Sequence, residues 1–452
     1  MYWANFIHAY QPPFQKEKIV RRVIEESYRK VFSGLLKLKR AKLTLNINGV
    51  LCDFLAAYGG QDVLETIKKL LESGQLEITG SSKYHAFLPF LPESEIERQI
   101  ILNERSLDKH FGELWRKNGK NGFFPTEMAY SRKVAEVAKR LGYKWLIIDE
   151  LGFPGNHPSA DRVYTIKGLG GLGVFFRERS YSFAISSAQT GAVSGIIRYF
   201  GERLEKNDHV VTAMDCEMFG HHRPGLENLL FELLESEKIQ PATLSELFSA
   251  VSKKEEIEPR DSTWAVTKNN LKENLPYSRW KRPDNPIQVN QWKLTDLAIE
   301  LVGRGGEAEW RERLDKALHS DHYWWASARP WWSLEMLERG LYELKEIILS
   351  SEKATLEEKK LAENLYKEAI YTGFNWQRSG YVDELSRQED EEVRDRLEEK
   401  EKFFITKKEY AEMIKTWQEQ MRLAGKAEEY HRAAMIQDRI RELQIEMEKV
   451  KE

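Results

Sequence analysis

Two carboxylic acids that end apolar runs are the residues of this chain best suited to chemistry. Glu127 follows Phe123-Phe124-Pro125-Thr126, and Asp215 follows Val210-Val211-Thr212-Ala213-Met214. Such runs read as buried strands, so each acid stands where a strand leaves the core. Other strand ends carry His8, Gln11, Asn46, Asn48, Glu77, Asp149, Glu150, Arg177, Glu178 and Glu217. Taken singly, most of these read as helix caps or solvated loop residues. Gathered on one rim, they form a carboxylate-lined site.

Such a site could serve several chemistries. Metal-assisted hydrolysis needs ligands at recognisable spacing, and neither His-x-x-x-His nor His-Glu-x-x-His occurs. His221 and His222 are adjacent, so they rarely converge on one ion. Cys216 lies between two acids, which disfavours its thiolate, and there is no Gly-x-Ser-x-Gly elbow. The glycines from Gly168 to Gly173 precede no Lys-Ser/Thr pair and read as a turn rather than a phosphate loop. Nucleophilic and acid/base work by two carboxylates remains, which is the chemistry of glycoside cleavage. One acid must stay ionised while the other holds a proton, so their surroundings must differ. No metal ion or cofactor is expected.

The elements that position these residues alternate in type. Strand-like runs cover Tyr2 to Ala9, Lys42 to Ile47, Leu76 to Thr79, Gly122 to Pro125, Trp145 to Ile148, Gly173 to Phe176 and Val210 to Met214. Between them lie charged segments of helical period, among them Asp62 to Glu72, Ser94 to Trp115 and Ser131 to Leu141. Strands separated by helices argue for a parallel sheet, and seven with polar C-terminal ends predict an α/β fold, a (β/α)7 barrel. The charged run from Lys253 to Arg260 marks a boundary. Beyond it the pattern is helical and rich in tryptophan, with amphipathic stretches Gln288 to Leu301, Leu334 to Ser350 and Leu356 to Tyr371. The expected division is a catalytic barrel over 1–258, an α-helical bundle domain over 259–396 that completes the cleft, and a linker with a helix hairpin over 397–452.

Several patches of sequence resemble glycoside hydrolase family 57, the group of α-amylases, 4-α-glucanotransferases and branching enzymes. They are His8-Ala9-Tyr10-Gln11-Pro12, Gly74 to Gly80, Phe124-Pro125-Thr126-Glu127, and Met214-Asp215-Cys216-Glu217-Met218-Phe219-Gly220-His221. Tyr277-Ser278-Arg279-Trp280, Asn290-Gln291-Trp292 and Ser320 to Trp324 resemble the family more loosely. The resemblance covers about residues 1 to 380. It implies a seven-stranded barrel with a helical bundle, and a retaining mechanism with Glu127 as nucleophile and Asp215 as acid/base. His8, Tyr10, Gln11, Glu77, Glu217, His221 and Trp280 are the implied substrate-binding residues. Tyr10 departs from the family's usual His-x-His-Gln-Pro; a phenol can still donate a hydrogen bond to a sugar.

The tail reads as a separate module. Met421, Ala424, Tyr430, Ala433, Ala434, Gln437, Asp438, Ile440 and Leu443 resemble the UVR-type helix hairpin of nucleotide-excision repair proteins. His431 and Gln437 depart from its usual Glu and Arg. Helical periodicity on both sides of Ala424-Gly425-Lys426 predicts two short helices, which bury little surface alone. Residues 407–452 are therefore expected to hold a second copy or a protein partner.

Bulk properties narrow the setting. The 452 residues carry 69 Lys and Arg against 72 Asp and Glu, so net charge gives no reason to expect nucleic acid. Two cysteines build no disulfide framework, and there is no signal-peptide pattern or membrane-length apolar run. A cytoplasmic enzyme acting on starch, glycogen or maltodextrin is the expectation. The rival is a low-turnover α-glucan-binding or regulatory protein on the same fold.

Overall fold

The chain, as a computed structural model, describes residues 1–116, 119–186, 193–206, 208–305, 308–388 and 407–426, together with 436, 437, 440, 441, 443–445, 447, 448 and 450. Its strands are β1 (Tyr2–Ala9), β2 (Leu43–Ile47), β3 (Leu76–Ile78), β4 (Gly122–Phe123), β5 (Trp145–Asp149), β6 (Val163–Ile166), β7 (Gly173–Arg177), β8 (His209–Asp215), β9 (Gln240–Pro241) and β10 (Lys254–Ile257). Each of the seven strand-like runs falls on one of them, with β5, β7 and β8 extending a residue past their runs at the C-terminal end. β6, β9 and β10 are additions.

One sheet has the order β3-β2-β1-β8, with β9 also against β1, and the other the order β10-β6-β7-β5-β4. All pairings are parallel except β6 with β7. Two contacts join the sheets. Gly80 N donates to Gly122 O at 2.9 Å while Phe124 N donates to Gly80 O at 2.9 Å. Across the other gap Glu178 N donates to Val211 O at 2.8 Å.

Alternation explains what lies between the sheets. Ala4, Phe6, Phe124, Trp145, Ile147, Phe175, Val211 and Ala213 form one inner cluster, together with Leu244 and Leu247 from the helix Leu244–Ala250. Trp3 and Ile7 point the other way, into the helices that cover the first sheet. Strands apolar on both faces are what parallel sheets require. β10 shows the opposite composition. Its Lys-Glu-Glu-Ile leaves all but Ile257 exposed, so the charged run read as a boundary is an edge strand blunted by charge.

The helices Pro286–Gly303, Ala308–Ala317, Leu334–Ser350 and Leu356–Ser379 share a core with Glu93–Phe111 and Arg132–Arg140 from the sheet region. Paired forks fix this junction. Arg98 binds Asp315 at 2.8 and 2.7 Å, and Arg311 binds Glu95 at 2.8 and 2.7 Å. Bidentate pairs of this kind add geometric specificity as well as attraction.

In the tail the helix Lys407–Lys426 runs through Gly425, where a break was expected. Its Tyr410, Met413 and Ile414 pack on Ile436, Ile440 and Leu443. The Arg223 guanidinium lies 5.9 Å from the centre of the Trp417 ring. Tyr430, His431, Ala433, Ala434 and Asp438, and the charge-dense stretch Glu389 to Lys402, lie outside the described residues. No helix among the described residues is long and apolar enough to cross a membrane.

Candidate active site

The register of the sheets places a polar layer directly above the apolar one. Phe6 pairs with Thr44 and Ala213, and two residues on, His8 pairs with Asn46 and Asp215. In the other sheet Ile147 pairs with Phe175, and Asp149 with Arg177. Since side chains two apart share a face, inward apolar residues are each succeeded by a polar one at the strand's C-terminal end. Asp149 is neutralised there by Arg179, whose Nε donates to its oxygens at 2.9 and 2.8 Å.

Glu127 sits in the turn Thr126–Met128 after β4, with φ of 62°. A left-handed non-glycine residue costs about 1–3 kcal/mol, so neighbours must hold it. Ser82 Oγ lies 2.7 Å from Thr126 Oγ1, Tyr130 N donates to Ser262 O at 3.0 Å, and Trp264 N donates to Glu127 O at 3.1 Å. The carboxylate is gripped at both ends. Ser320 Oγ donates to Oε1 at 2.7 Å and Trp264 Nε1 to Oε2 at 2.6 Å. Burial raises the Glu127 carboxyl, these two donors pull it down, and the charges of Asp321 and Asp215 raise it again, for a net value of about 8. Asp215, the last residue of β8, is by contrast exposed.

The loop after Asp215 is braced by one helical bulge. Residues Ile24–Tyr28 form a π-turn, the kind of local widening found often at functional sites. From it Ser27 Oγ donates to Cys216 O at 2.9 Å, Tyr28 OH donates to Glu217, and Glu26 Oε2 lies 2.5 Å from His221 Nδ1. Gly220 is required in this loop. Its φ is 103°, and a Cβ would meet Glu26 O at 2.1 Å. Gln11 Nε2 and Tyr10 N reach Glu217 Oε1 at 3.4 and 3.3 Å. Burial, then the charge of Asp215, raises the Glu217 carboxyl to about 7.

Tyr10 is committed to a protein partner. Its hydroxyl donates to Asp321 Oδ2 at 2.7 Å, and its ring lies on His85 with centroids 3.9 Å apart. His319 Nδ1 stands 2.8 Å from the same oxygen. Burial acts to raise the Asp321 carboxyl, but the His319 hydrogen bond, the His319 and His85 charges and the Tyr10 hydroxyl hold it down at about 2. His8 is likewise committed: Nδ1 lies 2.8 Å from Asn46 Oδ1 and Nε2 lies 3.0 Å from His85 Nε2.

Glu127, Asp215, His8, Tyr10, Gln11 and Glu217 thus come together, with His221 braced beside them. Two expected sugar contacts do not join them. Glu77 lies one layer deeper, accepting from Thr44 Oγ1 at 2.8 Å and from Ser245 N at 3.0 Å, so it caps the helix Leu244–Ala250 at the far end of the strands. Trp280 has no exposed surface and stacks on Phe87 at 4.9 Å. The aromatic face open at the site is that of Trp264, which is 39% exposed and packs against Trp324 at 5.2 Å. Trp264, His85, Ser320, His319 and Asp321 were not singled out from sequence for these places. Only the segment Ser320 to Trp324 carried a signal, as a loose family patch. No cluster of three or more metal-ligating side chains occurs among the described residues.

An alpha-amylase of Pyrococcus horikoshii is 25% identical over 240 residues, which is 50% of this chain and 36% of that protein. The chain therefore spans about a third of that relative's length. Among solved structures, a branching enzyme from Thermococcus kodakaraensis superposes with a TM-score of 0.63 at 16% identity, over 81% of this chain and 94% of that one. A 4-alpha-glucanotransferase from Thermococcus litoralis gives 0.61 at 18% identity, over 77% of this chain and 60% of that one. The family model of glycosyl hydrolase family 57 matches residues 4–260, more than half of the chain and the stretch that holds Glu127 and Asp215. The chain belongs to glycosyl hydrolase family 57.

Proposed function

We propose that this protein is a retaining glycosidase or transglycosylase of α-glucans, with Glu127 as nucleophile and Asp215 as acid/base. The observation that carries the reading is the contrast between the two acids. Glu127 is half-buried, its side chain 13% exposed, and is clamped through both oxygens, while Asp215 is exposed at the end of β8. The ionised form of Glu127, which the Ser320 and Trp264 donors favour and which prevails above about 8, attacks the anomeric carbon as Asp215 gives its proton to the departing glycosidic oxygen. Asp215 then takes a proton from water or from a sugar hydroxyl, which attacks the same carbon and releases Glu127. The exposed face of Trp264 is the stacking platform for a sugar ring in this scheme, and Glu217 and Asp321 are acceptors for its hydroxyls. A protein that only bound glucan would need no carboxylate clamped in this way.

The architecture we assign is a closed (β/α)7 barrel over 1–258, made of β1, β2, β3, β4, β5, β7 and β8, with the contacts at Gly80 and Glu178 as its seams. A helical domain over 259–396 completes the cleft, and the module over 397–452 serves association with a second copy or another protein. A cytoplasmic setting fits the two buried free thiols, Cys52 and Cys216. Product analysis on maltoheptaose, amylose and amylopectin tests the reading. New chain lengths or branch points support it, and no product from any of the three overturns it.

A further inference from the structure

A continuous line of hydrogen-bonding groups leaves Glu127. Glu127 Oε1 meets Ser320 Oγ at 2.7 Å, Ser320 Oγ meets His85 Nδ1 at 2.9 Å, His85 Nε2 meets His8 Nε2 at 3.0 Å, and His8 Nδ1 meets Asn46 at 2.8 Å. Asn46 continues to Thr79 Oγ1 at 3.2 Å. Each link joins two groups that share one hydrogen. The serine hydroxyl can donate to only one neighbour, and each neutral imidazole has one N–H and one lone pair.

We infer that Ser320, His85 and His8 form a tautomer chain locked to the charge of Glu127, with Ser320 and His85 as positioning residues for the nucleophile. The inference rests on the reading of Glu127 as nucleophile for its catalytic meaning, though not for its geometry.

Only two arrangements satisfy every link. With Glu127 ionised, Ser320 donates to it, so His85 must carry its hydrogen on Nδ1. His85 Nε2 is then bare and accepts from His8 Nε2–H, and His8 Nδ1 accepts from Asn46 Nδ2 once the amide has turned over from the orientation in the structure, where Oδ1 faces His8 and Nδ2 donates to Thr79 Oγ1. With Glu127 protonated, every donor reverses. Trp264 Nε1 can only donate, so the carboxyl hydrogen must sit on Oε1 and point at Ser320. Ser320 then donates to His85 Nδ1, His85 Nε2–H to His8 Nε2, and His8 Nδ1–H to the Asn46 oxygen. Burial lowers both histidines, which keeps them neutral and makes the either-or logic hold.

The charged and titratable groups that face this chain are Asp321 and His319 from the segment before Trp324, Asp215 from the end of β8, Tyr10 from the turn after β1, and Glu217 beyond Asp215. Glu217 titrates within about a unit of Glu127, so the test must separate the two.

The test is long-range ¹⁵N NMR of histidine-labelled full-length protein from pH 6 to 10, with His8 and His85 assigned by single substitutions. Both rings should exchange tautomers with one shared midpoint, near the value of about 8 set for Glu127. His85 should pass from Nε2–H to Nδ1–H as His8 passes from Nδ1–H to Nε2–H. In Glu127→Gln the amide oxygen must face Trp264 and its NH₂ must face Ser320, so both rings should stay in the low-pH tautomers throughout. Fixed tautomers in the unaltered protein, or a switch that persists in Glu127→Gln, would overturn the chain. Ser320→Ala should uncouple the rings from pH and move the acid limb of kcat/KM upward by at least half a pH unit, with KM changed less than twofold. An unmoved limb would overturn the positioning role. If Glu127→Gln keeps its turnover, the nucleophile reading fails while the coupling can stand; if that variant is dead and the tautomers of the unaltered protein never move, only the coupling fails.

Discussion

Tyr10 and Asp321 stand 311 residues apart in the chain and 2.7 Å apart at the site. The phenol closes a contact between the end of β1 and the helical region. Tyr10→Phe should lower kcat/KM about tenfold or more, the scale of losing a hydrogen bond to a charged group. Tyr10→His, which keeps a donor, should lose less. Steady-state kinetics on maltoheptaose checks the order of the two.

Glu127→Gln should lower turnover by at least about 10³-fold while thermal unfolding stays cooperative, since shape is kept and the attacking charge is removed. Asp215→Asn should harm starch-like substrates by about 10²–10⁴-fold and activated aryl glycosides much less, because a good leaving group needs no proton. Equal losses on both substrates would contradict the acid/base role.

Glu127 also links stability to pH. Its folded value of about 8 lies above the ordinary 4.5, so the native state holds a proton that the unfolded chain releases. That stabilisation is complete below about 4.5 and is lost as pH rises through about 8. Glu127→Gln cannot titrate. Its unfolding free energy relative to the parent should therefore climb between pH 5 and pH 9, by on the order of a few kcal/mol, read by denaturant melts at each pH. Asp321 works in the other window, losing its contribution as pH falls from 3.8 through about 2.

Trp264→Phe keeps a ring and removes a donor to Glu127. The acid limb of kcat/KM should shift upward, because the carboxylate loses one of its two hydrogen bonds. Trp264→Ala should in addition raise KM about tenfold, as a stacking face worth roughly 1–3 kcal/mol is gone. The pH–rate profiles of the two variants separate these effects.

Removal of the chain after about Lys402 should leave glucan chemistry nearly intact and change the assembly state or remove a partner. Glu127 and Asp215 lie well before it, and a contact between the tail and the body is Arg223 over Trp417. Light scattering and activity on full-length and truncated protein test this. Unchanged mass with lost activity would make the tail part of the catalytic body.

What was legible in the sequence followed from short-range rules. β1 was bounded to the residue, and Leu334–Ser350 likewise, because period-two and period-3.6 patterns are local. Glu127 and Asp215 stood out because each ends an apolar run. The failures are long-range. Glu77 looked like a rim residue since it lies in a short strand, but register with Thr44 places it a layer deeper. Trp280 could not be told from Trp264 by residue type; the distinction is which of them the helical core swallows. Trp264 meets Glu127 across 137 residues and Ser320 meets it across 193, separations no periodicity encodes.

On the proposed roles, the clamp on Glu127 sets when the site becomes complete during synthesis. Residues 4–260 contain Glu127 and Asp215, yet neither of the groups that grip the oxygens of Glu127. A ribosome-bound chain that has just completed its last strand would hold Glu127 in a strained turn with no donor on either oxygen. Domains emerge N-terminal first, so competence would arrive only after Ser320 has cleared the exit tunnel and the helices beyond the sheet have docked.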